Sequence, residues 1–174
     1  MNVELYAPVI AKTNLYFDQT EQRLKVALPA RANIALDTVG RHAKGEKANH
    51  TALVFEDASG TLHRYTFAEL DALSTRLAKG LLEKGVRRGD PVAVHTGQRP
   101  ETAIAHFAIH KLGAIVLTLS QLYGPDTVEH ILNDSKCKVV ITDEAAWENL
   151  RFVVREMRGR RVSSVEIMLE GGAA

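Results

Sequence analysis

Cysteine is almost missing from this chain. Cys137 stands alone among 174 residues, so no intrachain disulfide can form. Its stability must then come from packing and hydrogen bonds, and this cysteine usage fits a reducing compartment. Aromatic residues are also few, at 6%, with a single tryptophan. Charge of one sign is lacking too: the net charge is +1. That balance gives no electrostatic basis for binding nucleic acid or an anionic membrane. Long apolar runs are absent. Ala114-Ile-Val-Leu, which no other run exceeds, is far too short to span a bilayer. Met1-Asn-Val-Glu-Leu-Tyr6 has no basic stretch followed by an apolar one, so a secretion signal is not expected and a cytoplasmic location is. No internal repeat or low-complexity tract interrupts the chain.

What is present is ordinary for a soluble globular protein: 45% hydrophobic and 25% charged residues. Residues 1–30 show scattered apolar side chains without a clear period and read as an arm packing on something else. Asn33 is placed as the N-cap of a short helix running to His42, with Ile34, Leu36 and Val39 inward. Lys44 to His50 is polar and reads as a loop. A hairpin follows, with strands at 52–56 and 61–65 and a turn at Asp57-Ala-Ser-Gly60. Thr66 and Glu69 form a capping-box pair opening a helix, whose Leu70, Leu73, Leu77 and Leu81 make one apolar stripe ending at Gly85. That stripe is too short for a coiled coil and belongs to the core.

Strand and helix signals then alternate. Val92 to His95 is a strand, and Pro100 begins a helix with Ile104, Phe107, Ala108 and Leu112 inward, stopped by Gly113. Ala114 to Leu119 reads as a strand covered on both faces. Asp126 to Asn133 is a helix burying Val128, Ile131 and Leu132. Lys138 to Thr142 is a strand, 145–158 a helix using Trp147, Leu150, Val153, Val154 and Met157, and 162–169 a last strand. Strands joined through helices pair in parallel. The expected fold class is α/β: a small open, mostly parallel sheet with helices on both faces, and the 52–65 hairpin at an edge.

The ordered run Tyr65-Thr-Phe-Ala-Glu-Leu70, Gly85-Val-Arg-Arg-Gly-Asp90, Pro100-Glu101, Lys111-Leu-Gly-Ala-Ile115, Gly124-Pro-Asp126, Asp134-Ser135 and Val139-Val-Ile-Thr142 carries a resemblance. Each piece alone is a common cap, turn or helix stop. In this order and spacing, across roughly 33–145, they resemble the N-terminal part of the AMP-forming acyl-CoA synthetases, the acetyl- and medium-chain branch of the adenylate-forming superfamily. The resemblance implies an arm at 1–32, an α/β N-terminal subdomain of an AMP-dependent synthetase at 33–170, and a tail at 171–174. It implies a parent reaction in which a carboxylate, ATP and CoA give acyl-CoA, AMP and pyrophosphate, with ATP, magnesium and CoA as the parent's cofactors.

The family's phosphate-binding segment is rich in Ser, Thr and Gly and ends in Pro-Lys. No stretch of this sequence matches it, and Gly171-Gly172 is followed by no lysine. No catalytic residue and no metal ligand is therefore assigned, no cofactor is expected on this chain alone, and activity alone is not expected. The expected partners are the remainder of a synthetase and further copies through an exposed face. The alternative is a non-enzymatic remnant that binds a nucleotide or a protein. By the same resemblance, the loop Ser120-Gln121-Leu122-Tyr123-Gly124 and Arg151 are candidate CoA contacts. Two positions depart from the family: Thr118 where a proline is common, and Ile131 near where an arginine is.

Other groups read more plainly. His106 and His110 share a helix face at ligand spacing but lack a third ligand, and half-buried helix histidines are the better reading. His95 ends a strand without a nucleophile beside it. Cys137 lies between two lysines that would favour its thiolate, although a structural thiol fits better. Arg151, Arg155, Arg158, Arg160 and Arg161 form a solvated basic stretch rather than a nucleic-acid surface. Asp134-Ser135 also suits a common turn.

Overall fold

Alternating strand and helix signals resolve into a four-stranded parallel sheet clothed on both faces. The computed structural model describes residues 15–26, 32–157 and 167–168. Two units divide the chain, Met1–Ala32 and Asn33–Ala174.

In the first unit, β1 (Leu15–Asp18) pairs antiparallel with β2 (Arg23–Val26). This hairpin was not expected in a segment read as a periodless arm. The signal lies in its turn and second strand. The Asp18 carboxylate accepts from the Thr20 and Glu21 amides at 2.9 and 3.0 Å, and Arg23-Leu24-Lys25-Val26 alternates as a strand does. Lys25 pairs with Asp18 at 2.7 Å and holds that carboxyl below its usual range.

The second unit begins with a helical segment, α1. It is a π-helical turn at Leu36–Gly40 running into Arg41–Ala43. Asn33 is its cap: Oδ1 accepts from Ala35 N at 3.1 Å and Leu36 N at 3.2 Å. The inward face differs from expectation. Val39 and Ala35 are buried, four apart, whereas Ile34 is 59% and Leu36 48% exposed. The wider π turn rotates the side chains off the 3.6-residue period on which the expectation rested.

β3 (Thr51–Glu56) and β4 (Leu62–Thr66) form the expected hairpin, with Gly60 at φ +83 in its turn. It is a separate two-stranded ladder rather than an added strand of the parallel sheet. Ala52, Leu53 and Tyr65 pack with Val39, Leu70 and Ile104, so the hairpin lies over helices instead. Thr66 then caps α2 (Phe67–Glu83) through a complete capping box: Glu69 N donates to Thr66 Oγ1 at 3.2 Å and Thr66 N to Glu69 Oε2 at 2.7 Å. Thr66→Ala should lower stability by about 1 kcal/mol, read as a fall of a few degrees in thermal midpoint, while Thr66→Ser keeps most of it.

The remaining elements are β5 (Pro91–His95), α3 (Pro100–Lys111), β6 (Ile115–Thr118), α4 (Pro125–Ser135), β7 (Val139–Thr142), α5 (Glu144–Met157) and β8 (Ile167–Met168). The strand order is β6-β5-β7-β8, all pairs parallel. Leu81, Ala105, Ala108 and Ile109 of α2 and α3 pack on Val92, Val94, Val139 and Ile141. Val128 and Leu132 of α4, with Leu150 and Val153 of α5, pack on Ala93, Leu119 and Val140 of the opposite face. β6 is not a doubly covered strand: it is an edge, and Ile115 is 55% exposed. A short apolar run looks the same at an edge as in the middle, and only pairing decides. The side chains of Val154 and Met157, and all of 158–166 and 169–174, lie outside the described residues.

Candidate functional site

β5 runs into α3 on one face of the sheet, while its neighbours β6 and β7 run into α4 and α5 on the other. Loops leaving adjacent strands in opposite directions open a crevice at the carboxyl ends, where open α/β sheets bind ligands. Three segments meet there: the β5–α3 loop with Gly97, the β6–α4 loop with Gln121, and Asp143 directly after β7.

Asp143 joins them. Its side chain is 5% exposed. Oδ1 accepts from Ala146 N at 2.8 Å, capping α5. Oδ2 accepts from Gly97 N at 2.8 Å and from Gln121 Nε2 at 3.4 Å. A Cβ at Gly97 would meet Gln121 Oε1 at 3.5 Å and Asp143 Oδ2 at 3.7 Å, so the two side chains roof this glycine. Beside it, Thr102 Oγ1 donates to Gly97 O at 2.7 Å and Thr142 Oγ1 to His95 O at 3.0 Å. Sequence reading passed over Gly97, Thr102 and Asp143. Only Asp143 carried a signal, as an acidic residue just ahead of a helical run.

The candidate loop is placed at this crevice. Leu122 is 95% and Tyr123 42% exposed. Their amides are already used inside the loop: Leu122 N donates to Ser120 Oγ and Tyr123 N to Ser120 O, both at 3.2 Å. Gly124 precedes α4, whose first residue is Pro125. Arg151 is exposed on α5, about two turns past the helix start. A second concavity, of about 340 Å³, lies between β3 and the start of α3, and its lining includes Val54, Phe55, Arg99 and His106.

His95 is 1% exposed beneath the crevice, its Nδ1 3.4 Å from Leu119 O. Burial pulls its pKa below the ordinary 6.5, against weaker opposition from Leu119 O and the Asp143 charge. His106, whose Nε2 is 3.3 Å from Thr118 Oγ1, is lowered by burial and then by His110. Depressed folded values mean the unfolded chain takes up these protons first as pH falls. Stability should hold above about pH 6.5 and decline below it. A series of thermal midpoints from pH 8 to pH 5 checks this, and His95→Gln should flatten part of the decline. Cys137 is a structural thiol, and burial outweighs its flanking lysines. Its thiol is buried, donates to Val139 O at 3.0 Å, and has its pKa raised by burial.

Among the described residues, no group of three or more His, Cys, Asp or Glu side chains could hold a metal ion. Among the same residues, no helix is long and apolar enough to cross a membrane. Ile131 is half-buried against the α4–α5 core. The side chains of Arg155 and residues 158–161 lie outside the described residues.

A family model described as AMP-binding enzyme matches residues 40–173. Acetyl-coenzyme A synthetase of Magnetococcus marinus is 30% identical over 140 residues, covering 80% of this chain and 22% of that relative. The Streptomyces coelicolor enzyme of the same name is 33% identical over 115 residues, covering 66% of this chain and 18% of the relative. The crystal structure of a Brucella canis acyl-CoA synthetase superposes with a TM-score of 0.68 at 27% identity, over 82% of this chain and 25% of that one. The anthranilate CoA ligase AuaEII, solved with anthranoyl-AMP, gives 0.64 at 30% identity, over 76% of this chain and 23% of that one. The open α/β fold is thus one shared with acyl-CoA synthetases. The chain belongs to the AMP-binding enzyme family, and its likeness is to the N-terminal part of the AMP-forming acyl-CoA synthetases. It spans less than a quarter of either curated relative's length.

Proposed function

We propose that this chain serves an AMP-forming acyl-CoA synthetase as its N-terminal α/β portion. In the parent reaction a carboxylate oxygen attacks the α-phosphorus of ATP, and pyrophosphate leaves. The CoA thiol then attacks the acyl carbon, and AMP leaves with the electron pair of the broken mixed anhydride. Magnesium would neutralise phosphate charge in the first step. No described residue cluster of this chain fits that ion, so it is assigned to none of them. The chain's own contribution is a wall at the carboxyl edge of the sheet. There the 120–124 loop, Gln121 to Gly124, faces the CoA nucleotide, and Arg151, about two turns along α5, offers a guanidinium suited to phosphate.

The observation carrying this reading is the coincidence of that loop with the crevice where β5 and its neighbours diverge. Titration of the isotopically labelled chain with CoA tests it. Amide shifts at 120–124 and near Arg151 are expected, and their absence at millimolar CoA would overturn the contact. Incubation with ATP, magnesium, a carboxylate panel and CoA should release no AMP, since phosphate machinery is assigned to no segment of this sequence; turnover would refute that part.

Exposed Leu122 and Tyr123 on the 120–124 loop, and exposed Ile115 at the start of β6, favour a second reading, in which these apolar side chains meet the remainder of a synthetase or another copy of the chain. Sedimentation tests the self-association: a clean monomer at high concentration argues against it.

A further inference from the structure

We propose that Asp143 is the positioning residue that sets the 120–124 loop against its ligand, with Gln121 as the releasable arm of the contact. The inference rests on the CoA reading for the ligand, but its structural basis is independent of it. One buried carboxylate serves donors from three segments. Two of its bonds, to Gly97 N and Ala146 N, are 2.8 Å long and come from backbone amides of the β5–α3 loop and of α5. These fix the carboxylate in place. The third, from Gln121 Nε2, is 3.4 Å long and comes from an exposed residue. A long bond from an exposed side chain is the one that breaks at least cost.

The rest of the loop makes that bond decisive. Leu119 N is tied to Val94 O at 2.9 Å, which anchors the end of β6. Beyond it, the Leu122 and Tyr123 amides bond back to Ser120 and hold the loop's own shape. Gly124 O accepts from Val128 N at 3.1 Å, which anchors the other end to α4; from Ser120 to Tyr123, among the described residues, Gln121 to Asp143 is the hydrogen bond that reaches another segment of the chain. The loop is therefore a self-shaped turn fastened to the body at one side chain. With the fastening closed, Gln121 and Asp143 roof Gly97. With it open, Gln121 leaves the roof and the Asp143 carboxylate keeps its two backbone donors. Asp143 thereby decides where Leu122 and Tyr123 stand relative to the β5–α3 loop. A ligand approaching between them meets either a preset wall or a loose one.

Gln121→Ala and Asp143→Asn test this in the full chain. Gln121→Ala should leave the thermal midpoint within a degree or two of the parent. It should raise amide hydrogen exchange at Leu122 and Tyr123 by tenfold or more and shift the Gly97 amide resonance, with α5 unchanged. Asp143→Asn retains one oxygen acceptor where the parent has two carboxylate oxygens, so it should reproduce the exchange changes at 122 and 123 and, by leaving Gly97 N or Ala146 N without its acceptor, also lower the thermal midpoint. The double variant should add little to either. Unchanged exchange at 122 and 123 in Gln121→Ala, or additive effects in the double variant, would overturn the proposal. A CoA titration forms a separate arm. If the parent binds, Gln121→Ala should weaken binding by about threefold to tenfold, and an unchanged affinity would deny the loop's position any role in recognition. If the parent does not bind CoA, the CoA reading fails, while the exchange data still decide the role of Asp143.

Discussion

Leu81→Ala lowers the stability of this chain by about 3 kcal/mol, the middle of the range for emptying a leucine site in a packed core. Leu81 is fully buried, in the layer where α2 and α3 meet β5 and β7. Its neighbours are held by strands and by other helices, so the site cannot collapse onto the vacated volume. For a chain of this size the thermal midpoint should drop by roughly 6–12 °C. In urea the transition midpoint should fall with an unchanged slope, because the folded state stays the same and only its stability changes. The adjacent residue supplies the control. Leu82 is 42% exposed, and Leu82→Ala should stay within about 0.5 kcal/mol of the parent. Equal losses at 81 and 82 would mean that α2 does not present the face described.

Lys111→Met is the second large effect. Lys111 closes α3, and its Nζ donates to Asp71 O at 2.7 Å, Asp71 Oδ1 at 2.8 Å and Thr75 Oγ1 at 2.6 Å on α2. The lysine side chain is 9% exposed and that of Asp71 24%. Removing one partner of a buried pair costs about 3–5 kcal/mol, because the other charge is left without compensation. Water reaches the Asp71 carboxylate in part, so about 2–3 kcal/mol is expected here. Lys138→Met is the contrast. Lys138 pairs with Asp90 at 2.9 Å, but the lysine is 54% exposed, and its loss should cost no more than about 1 kcal/mol. If replacing Asp71 by Asn as well recovers part of the Lys111→Met loss, the cost lies in the stranded charge. If it recovers nothing, the cost lies in packing of the lysine stem.

The contrasts between 81 and 82, and between 111 and 138, show where sequence reading stops. A leucine stripe from 70 to 81 marks a buried helix face, because a helix returns to the same side every 3.6 residues. Nothing in the string separates Lys111 from Lys138. One lies where two helices close over it, the other at the rim of the sheet. The same limit governed the site. The position of the 120–124 loop, between a strand and a helix, was legible because its motif neighbours are in order along the chain. Gly97 and Asp143 were not, since 46 residues separate the two ends of their bond.

The string by itself determined the order of strands and helices from residue 33 to 157, the capping box at Thr66, the stops at Gly85 and Gly113, and the family. These rest on local geometry: period, caps and residues free to adopt a positive φ, as Gly85 does at +88 and Gly113 at +65. Tertiary structure decided what depends on neighbours distant in sequence. It made the apolar run at 115–118 an edge, laid the 51–66 hairpin over helices, turned Ile34 and Leu36 to solvent, and brought two loops and the first turn of α5 onto one carboxylate. Each of those outcomes is set by which surfaces meet, and pairing between remote segments leaves no periodic trace in either of them.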